Sequence, residues 1–411
     1  MARWPLFLAA ALVATLVFNL KAVYILFWTL LLLHVAGGWA LRRAVESLRV
    51  QPHSPSTHLF PDETAAVRLR IENLSRLPIT WLYARLWAPA EFGRKGEGQW
   101  VLSLGPRAAE TIAYAVKGAR RGVYTLGPLE VVAGDAFGLQ QRARTIDTYH
   151  DVVVFPVIYS MEELGLPSNL LSGKERVRRP LQPDPTRLIG IRRYEPGDPR
   201  RWIHWKATAR TGELHVKQFE HTLSGESLLL VNLNSEEYPA ATWVNESELA
   251  IATAASLAHR LAEGRERFAF ATNARLVRHR SAKALERVPT VLEEGERGVV
   301  RIPPRHGQAQ LIRVLQVLAA AACKPGPSFA QVIEEAAADL AWGSAVLMVV
   351  PSVTEAVRER ALRLKASGHR VAIFLTGAKA AGLPGGERTG VRTWRVEYTA
   401  AGRLRLSAAA E

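Results

Sequence analysis

Cysteine is almost missing from this sequence: among 411 residues only Cys323 is present. One thiol forms no intrachain disulfide and builds no cysteine-based metal site, so neither framework holds the fold. Lysine is scarce too, at ten residues against 43 arginines. Acidic residues number 38 against 53 basic ones, which leaves a formal net charge of +15. A basic balance suits anionic lipid, nucleic acid or an acidic protein surface, and does not choose among them. The chain also lacks Gly-x-Ser-x-Gly, His-Glu-x-x-His and Gly-x-x-x-x-Gly-Lys-Ser/Thr. No complete motif for a serine hydrolase, a zinc protease or a P-loop nucleotide site is therefore present. The eleven histidines are scattered without metal-ligand spacing. No internal repeat is found.

Charge is absent from two stretches near the N-terminus. Trp4 to Leu20 is 17 residues without a charge, and after Lys21 the run from Ala22 to Leu41 adds 20 more, with His34 the one weak exception. Twenty helical residues rise about 30 Å, the thickness of a bilayer core. The pattern predicts two membrane helices joined by the tight turn Asn19-Leu20-Lys21, with Trp4, Trp28 and Trp39 placed for interfacial belts. A cleaved signal peptide followed by one anchor competes with it, but no convincing small-x-small cleavage site follows the first segment. Arg3 flanks one end and Arg42, Arg43 and Arg49 follow the other. The positive-inside rule then places both termini of a multi-pass protein in the cytoplasm.

From about Leu48 to Pro156 the text is β-like. Val67, Leu69 and Ile71 alternate with Arg68, Arg70 and Glu72, as in a half-buried strand. Similar runs occur at 79–87, 99–104, 111–116, 122–132 and 152–155, and short strands at this spacing predict a β-sandwich. Residues 165–190 are irregular and proline-bearing. From Ser227 strands and helices alternate: strands at 228–231, 268–271, 345–350 and 371–376, helices at 248–263, 308–323, 329–342 and 354–367. Ser328 to Gln331 is a capping-box pattern. This alternation argues an open α/β sheet. Residues 275–304 interrupt it with polar, charged text that the pattern does not place.

Between the β-like and α/β parts stands Arg193-Tyr194-Glu195-Pro196-Gly197-Asp198-Pro199-Arg200-Arg201-Trp202-Ile203-His204-Trp205-Lys206-Ala207-Thr208-Ala209-Arg210-Thr211. Pro196-Gly197 suits the centre of a type II turn, and Asp198 suits the cap of a short helix with Pro199 at its first position. Trp202, Ile203 and Trp205 are expected to bury, with Arg200, Arg201, Lys206 and Arg210 near solvent. Three uses remain open. The stretch is a stapled connector, or an Arg- and Trp-rich docking face for an acidic partner, or a site in which His204 and Asp198 act as base and orienter. No nucleophile is marked for the last. Interleaved Arg and Trp also suit phosphates and bases, but the basic residues are spread along the chain and not gathered in one tract.

These residues resemble the bacterial domain-of-unknown-function 58 (DUF58) family. The likeness is carried by Gly190-Ile191-Arg192 running on through the stretch above to Val216-Lys217, supported by Arg121-Gly122-Val123-Tyr124-Thr125-Leu126-Gly127-Pro128, Gly134-Asp135-Ala136-Phe137-Gly138 and Ala254-Ala255-Ser256-Leu257-Ala258. The resemblance implies two N-terminal membrane helices, a β-rich region, a signature segment and a von Willebrand factor A-like domain. It also implies a MoxR-type AAA+ ATPase as partner, in a chaperone-like system that assembles or matures other proteins. A von Willebrand A-like domain often binds Mg²⁺ through Asp-x-Ser-x-Ser at the end of its first strand. Here that strand ends Asn232-Leu233-Asn234-Ser235-Glu236, and a later strand ends Val350-Pro351-Ser352 without an Asp. Hard cations want anionic oxygen ligands, so Asn232, Asn234 and Glu236 form a degenerate site and no Mg²⁺ or other cofactor is expected.

The reading is therefore a multidomain protein: a transmembrane hairpin over 1–44, a β-sandwich over 45–160, a connector with the signature over 161–222 and a von Willebrand A-like α/β domain over 223–411. The expected function is a membrane-anchored adaptor, not an enzyme, whose partners are the lipid bilayer, the AAA+ ATPase and a client that the sequence does not identify. Its docking residues are Arg193, Tyr194, Gly197, Asp198, Arg201, His204, Trp205, Lys206, Arg210 and Thr211. A membrane-tethered hydrolase using Asp198 and His204, and a nucleic-acid-binding module, stand as alternatives.

Overall fold

The structure is a computed structural model. It describes residues 12–13, 21–53, 56–89, 92, 98–135, 140–159, 188–196, 198–219, 226–280, 298–338, 340–377, 390–399 and 404–408. The chain divides into two compact units. Unit 1 holds residues 1–157, 275–293 and 315–322; unit 2 holds 158–274, 294–314 and 323–411.

Unit 1 opens with helix α1, Lys21–Glu46. Among the described residues it is the one helix long and apolar enough to cross a membrane. Of the first expected segment, Trp4–Leu20, only Leu12 and Val13 lie among the described residues, and they are helical. Ten strands follow: β1 Leu48–Pro52, β2 Ser56–Leu59, β3 Thr64–Asn73, β4 Ile79–Leu86, β5 Gln99–Leu104, β6 Ala109–Lys117, β7 Gly122–Leu126, β8 Leu129–Gly134, β9 Gln141–Ile146 and β10 His150–Val154. They form sheets ordered β1-β3-β6, β5-β4-β8-β9 and, with β16 (Arg278–Arg280), β16-β7-β10-β2.

Alternation drives this half. Val67, Leu69 and Ile71 of β3 are buried, while Arg68 and Arg70 stay exposed. Their side chains join Ile79, Leu82 and Ala84 of β4 and Leu129 and Val131 of β8 in one core. The end of α1 enters that core through Leu41, Ala44 and Val45. The last carbonyls of a helix have no partner within it. Arg144 of β9 supplies one: its Nη1 donates to Val45 O and Glu46 O, both at 2.8 Å, and to Leu48 O at 3.3 Å.

The charged text at 275–304 resolves in part. Arg275–Leu276 (β15) pairs with Ala321–Ala322 (β18), and Arg278–Arg280 runs parallel to β7. Residues 281–297 lie outside the described residues.

Unit 2 centres on a seven-stranded sheet. Its strands are β13 Glu226–Val231, β14 Arg267–Thr272, β17 Val300–Arg305, β19 Ala345–Val350, β20 Arg370–Leu375, β21 Arg392–Tyr398 and β22 Leu404–Ala408, in the order β17-β14-β13-β19-β20-β21-β22. The five inner strands are parallel and the two edges antiparallel. β13 and β19 are wholly or almost wholly buried, which explains their unbroken apolar text. Helices α3 Trp243–Glu263, α5 Phe329–Ala337 and α6 Glu355–Ala366 belong to this unit; α4 is Gly307–Ala320. Phe329, Val332 and Ile333 of α5 and Val357 and Ala361 of α6 pack with Leu228, Leu230, Val346, Met348 and Ile373 of the sheet. The capping box opens α5: Gln331 Oε1 accepts from Ser328 N at 3.1 Å. The helix ends at Ala337, short of the expected Trp342.

Burial predicts sensitivity. Leu82→Ala, at a fully buried position, should cost about 2–5 kcal/mol in a denaturant melt of the purified chain. Val101→Ala, at a position 74% exposed, should stay within about 0.5 kcal/mol of the parent.

Candidate functional site

The signature segment folds as a hairpin with an insertion. β11 (Leu188–Arg193) and β12 (His215–Phe219) pair antiparallel, Arg193 opposite His215 and Arg192 opposite Val216. The link between them begins with a turn in which Asp198 N donates to Glu195 O at 3.0 Å and Asp198 Oδ2 accepts from Glu195 N at 2.9 Å. Arg192 grips the same carboxylate with two prongs, Nη1 to Oδ2 at 2.8 Å and Nη2 to Oδ1 at 2.6 Å. That fork geometry is the strong form of a charged hydrogen bond. It holds the Asp198 carboxyl below its usual range, with the Glu195 amide as the second cause. Asp198 therefore does not cap the following single 3-10 turn, Arg200–Trp202, whose start at Pro199 has no side-chain cap. Gly197 lies outside the described residues.

Helix α2, Trp205–Thr211, completes the insertion. His204 caps it, its Nδ1 accepting from Ala207 N at 3.0 Å. Gly212 closes it in the left-handed region at φ 74°, where glycine carries no Cβ penalty. Thr211 Oγ1 donates to Ala207 O at 3.0 Å, and Thr208 Oγ1 accepts from His215 N at 3.1 Å. Ile203 and Val216, bridged as a strand pair, are the buried anchors.

Trp205 is the correction. The sequence predicts its burial, yet it is 67% exposed. The helix is one short turn pair with no buried residue, and Ile203 takes the inward place instead. Around Trp205 on this segment Arg200, Arg201, Lys206 and Arg210 are exposed as well. Among the described residues no carboxylate pairs with these four, whereas Arg193 is taken by Glu213 at 2.7 Å. The Arg201 guanidinium lies over the Trp202 ring, 5.7 Å from its centre, and Tyr194 is half-buried with its N–H on Leu214 O. The segment therefore carries one exposed aromatic and four exposed cations that pair with no carboxylate among the described residues. It offers weak material for acid–base chemistry. His204 Nδ1 and both Asp198 oxygens are already engaged, and among the described residues no hydrogen bond joins the two.

The second candidate is the carboxyl end of β13. Asn232 Oδ1 accepts from Asn234 N at 3.1 Å and from Asn273 Nδ2 at 3.0 Å. Asn232 Nδ2 donates to Glu237 Oε2 at 2.9 Å, and Glu237 Oε1 accepts from Phe329 N at 2.8 Å. Asn273 Oδ1 accepts from Leu233 N at 2.6 Å, its Nδ2 also reaches Pro327 O at 2.9 Å, and Asn234 Oδ1 accepts from Glu236 N and Gly326 N. Backbone N–H groups fix which end of each amide is oxygen. The oxygens a cation would need are turned toward N–H donors, and an amide nitrogen points at the one carboxylate. Glu236, the expected acid, is exposed; Glu237 holds the position. The residues do not fit Mg²⁺, and among the described residues no group of three or more His, Cys, Asp or Glu could hold a metal. Glu237 and Asn273 were missed in the sequence because each sits one place beyond a strand end or beyond the expected motif.

Two outcomes follow. Glu237→Ala orphans Asn232 Nδ2 and Phe329 N, at about 1–3 kcal/mol each, read as a lower melting temperature that millimolar Mg²⁺ does not restore. For Asp198 the folded-state pKa is lowered, so its contribution is complete above the ordinary carboxylate value and fades as pH falls through the folded value. Asp198→Asn should thus melt earlier than the parent at neutral pH, and the gap should close as pH drops below about 3.9.

Among solved structures the chain is similar to the ASH/PapD-like domain of human CEP192, at 13% identity over 27% of this chain and 87% of that one, with a TM-score of 0.20. It is also similar to the CARDB domain of PF1109 from Pyrococcus furiosus (13% identity, 26% and 85% covered, TM-score 0.19) and to WR4, a C. elegans MSP family member (9%, 26% and 97%, TM-score 0.19). No curated protein matches the chain. Residues 190–280, which contain most of the hairpin, α2 and the strands β13 and β14 of the α/β sheet, match the family described as protein of unknown function DUF58. That segment carries the chain's likeness to the DUF58 family.

Proposed function

We propose that this protein is a membrane-anchored adaptor that docks an AAA+ ATPase of the MoxR type, or that ATPase's client, on the tip built by residues 193–211. One observation carries the reading: Trp205 is 67% exposed on a segment that is otherwise tightly tied. A large exposed aromatic on a segment whose arginines 200, 201 and 210 pair with no carboxylate among the described residues is the composition of an interface anchor. The tip is also preorganised, because the Arg192–Asp198 fork, the His204 cap and Gly212 fix its backbone before any partner arrives, which lowers the ordering cost of binding. The family resemblance supplies the ATPase as partner.

The rest of the architecture takes its place in the same proposal. A two-helix hairpin anchors the chain in the inner membrane with both termini cytoplasmic; the length of α1 and its uncharged run support this. Unit 1 serves as a β-sandwich platform. Unit 2 is a von Willebrand A-like domain, a reading supported by the reversal of strand order beside β13, with β14 on one side and β19 on the other. Ligands of open α/β sheets bind at such reversals, but here the amide network occupies the place, so the domain works without an ion.

The test is a crosslinked pull-down of the detergent-solubilised protein from native cells, with mass spectrometry of what is recovered. The expected result is an AAA+ ATPase that is lost with Trp205→Ala or Arg201→Ala while the melting temperature stays put, as an exposed position requires. Recovery of the ATPase undiminished by both variants would move docking elsewhere. Steep loss of a nucleic acid ligand with salt would favour that class instead.

A further inference from the structure

The hydrogen-bond register of the β11–β12 hairpin fixes which backbone groups point outward. Tyr194 N donates to Leu214 O at 2.9 Å. In an antiparallel ladder, bonded and non-bonded pairs alternate along the strands. Arg192 opposite Val216 is then the next bonded pair. Arg193 opposite His215 and Ile191 opposite Lys217 turn their N–H and C=O groups away from each other. The contacts of His215 agree. Its O accepts from His204 N at 2.8 Å, and its N donates to Thr208 Oγ1 at 3.1 Å. The insertion therefore covers the outer edge of β12.

The outer edge of β11 has no such cover. Among the described residues β11 pairs with β12 alone, and no hydrogen bond reaches Ile191 N, Ile191 O or Arg193 N. Arg193 O accepts from Arg192 Nη1 at 3.1 Å. The Ile191 side chain is 43% exposed, and that of Arg193 is 76% exposed even with Glu213 beside it. A bare edge of this kind is a template for another extended chain. Charge selects which chain. Residues 190–217 hold seven Arg and Lys against three Asp and Glu. For a second copy, the antiparallel register that engages Ile191 and Arg193 of both chains sets Arg192 opposite Arg192, and like charges directly opposite are destabilising. An acidic strand meets no such conflict. Its residue beside Arg193 and its residue beside Ile191 stand two places apart, and so lie on one face.

We propose that an extended acidic segment of the docked partner adds to the outer edge of β11 as a third strand, with a carboxylate beside Arg193 and a β-branched residue beside Ile191. The proposal rests on the reading of residues 193–211 as a docking tip. Main-chain bonds then hold the partner, and the alternating side chains set its register. The probe is the acetylated, fluorescein-labelled peptide Thr-Glu-Thr-Val-Thr-Glu-Thr-Val-Thr, titrated by anisotropy against the detergent-solubilised full chain at low salt. The expected result is saturable binding that Ile191→Pro weakens about tenfold at an unchanged melting temperature. Proline is tolerated on an edge strand where its missing N–H would face solvent. Ile191→Val, which keeps the N–H, should bind within about twofold of the parent. N-methylation of the Glu and Val amides of the probe should abolish binding to the parent, and methylation of its Thr amides should not, a contrast that needs no variant to fold. Equal loss from both methylated probes overturns strand addition, as does undiminished binding by a folded Ile191→Pro protein. The absence of saturable binding overturns it too, as does equal binding of a probe with Lys in place of Glu. The pull-down above separates this from the docking reading. An ATPase lost with Trp205→Ala but retained with Ile191→Pro overturns strand addition while the tip stands. No ATPase with the parent, beside a probe that binds as expected, overturns the ATPase as partner and leaves the edge site in place.

Discussion

A polar group taken out of water and left unpaired costs about 1–3 kcal/mol, and that penalty shapes the polar contacts on which both units depend. It is why Arg144 crosses to the last carbonyls of α1 and the first of β1, which it satisfies together. It is why Gln140 reaches His34 in the middle of an uncharged helix. At the end of β13 the same rule closes three asparagines and one glutamate into a network whose members satisfy one another.

Seen this way, the unpaired cations of the signature segment stand out by contrast. Arg192 is locked to Asp198 at the hairpin, and Arg193 has Glu213 as an exposed partner. Arg200, Arg201, Lys206 and Arg210 keep their hydration and do no such work within the described residues. An exposed charge costs little to maintain and gains little from an isolated ion pair. Its value lies in steering and in discrimination between partners. Rigidity and availability are thus assigned to different side chains within one segment of about twenty residues.

Much of the architecture was legible because burial writes itself as period. β3 alternates, β13 and β19 are unbroken apolar runs, and the capping box at Ser328–Gln331 marks a true helix start. Elements lacking that signature were missed. β9, Gln-Arg-Ala-Arg-Thr-Ile, buries no residue fully and β21 buries only Val396; both are defined by backbone pairing, which composition does not record. The site was legible as a segment and not as a geometry. Trp205 reads as core by residue type, yet Ile203 takes the inward place and Trp205 faces water. Likewise Asn232 and Asn234 are legible as polar residues at a strand end, but that Glu237 accepts an amide there is a matter of the network with Asn273 from beside the neighbouring strand.

The membership of unit 1 has a temporal side. Its strand β7 pairs with β10 on one edge and with Arg278–Arg280 on the other. The 117 residues from 158 to 274 separate the bulk of unit 1 from that last strand. Ribosomes deliver about 5–20 residues per second, so about 6–24 s pass between the two. During that interval β7 presents a bare hydrogen-bonding edge, the kind of template on which other extended chains associate. The order of translation therefore leaves this edge of β7 open in the nascent β unit until Arg278–Arg280 is made.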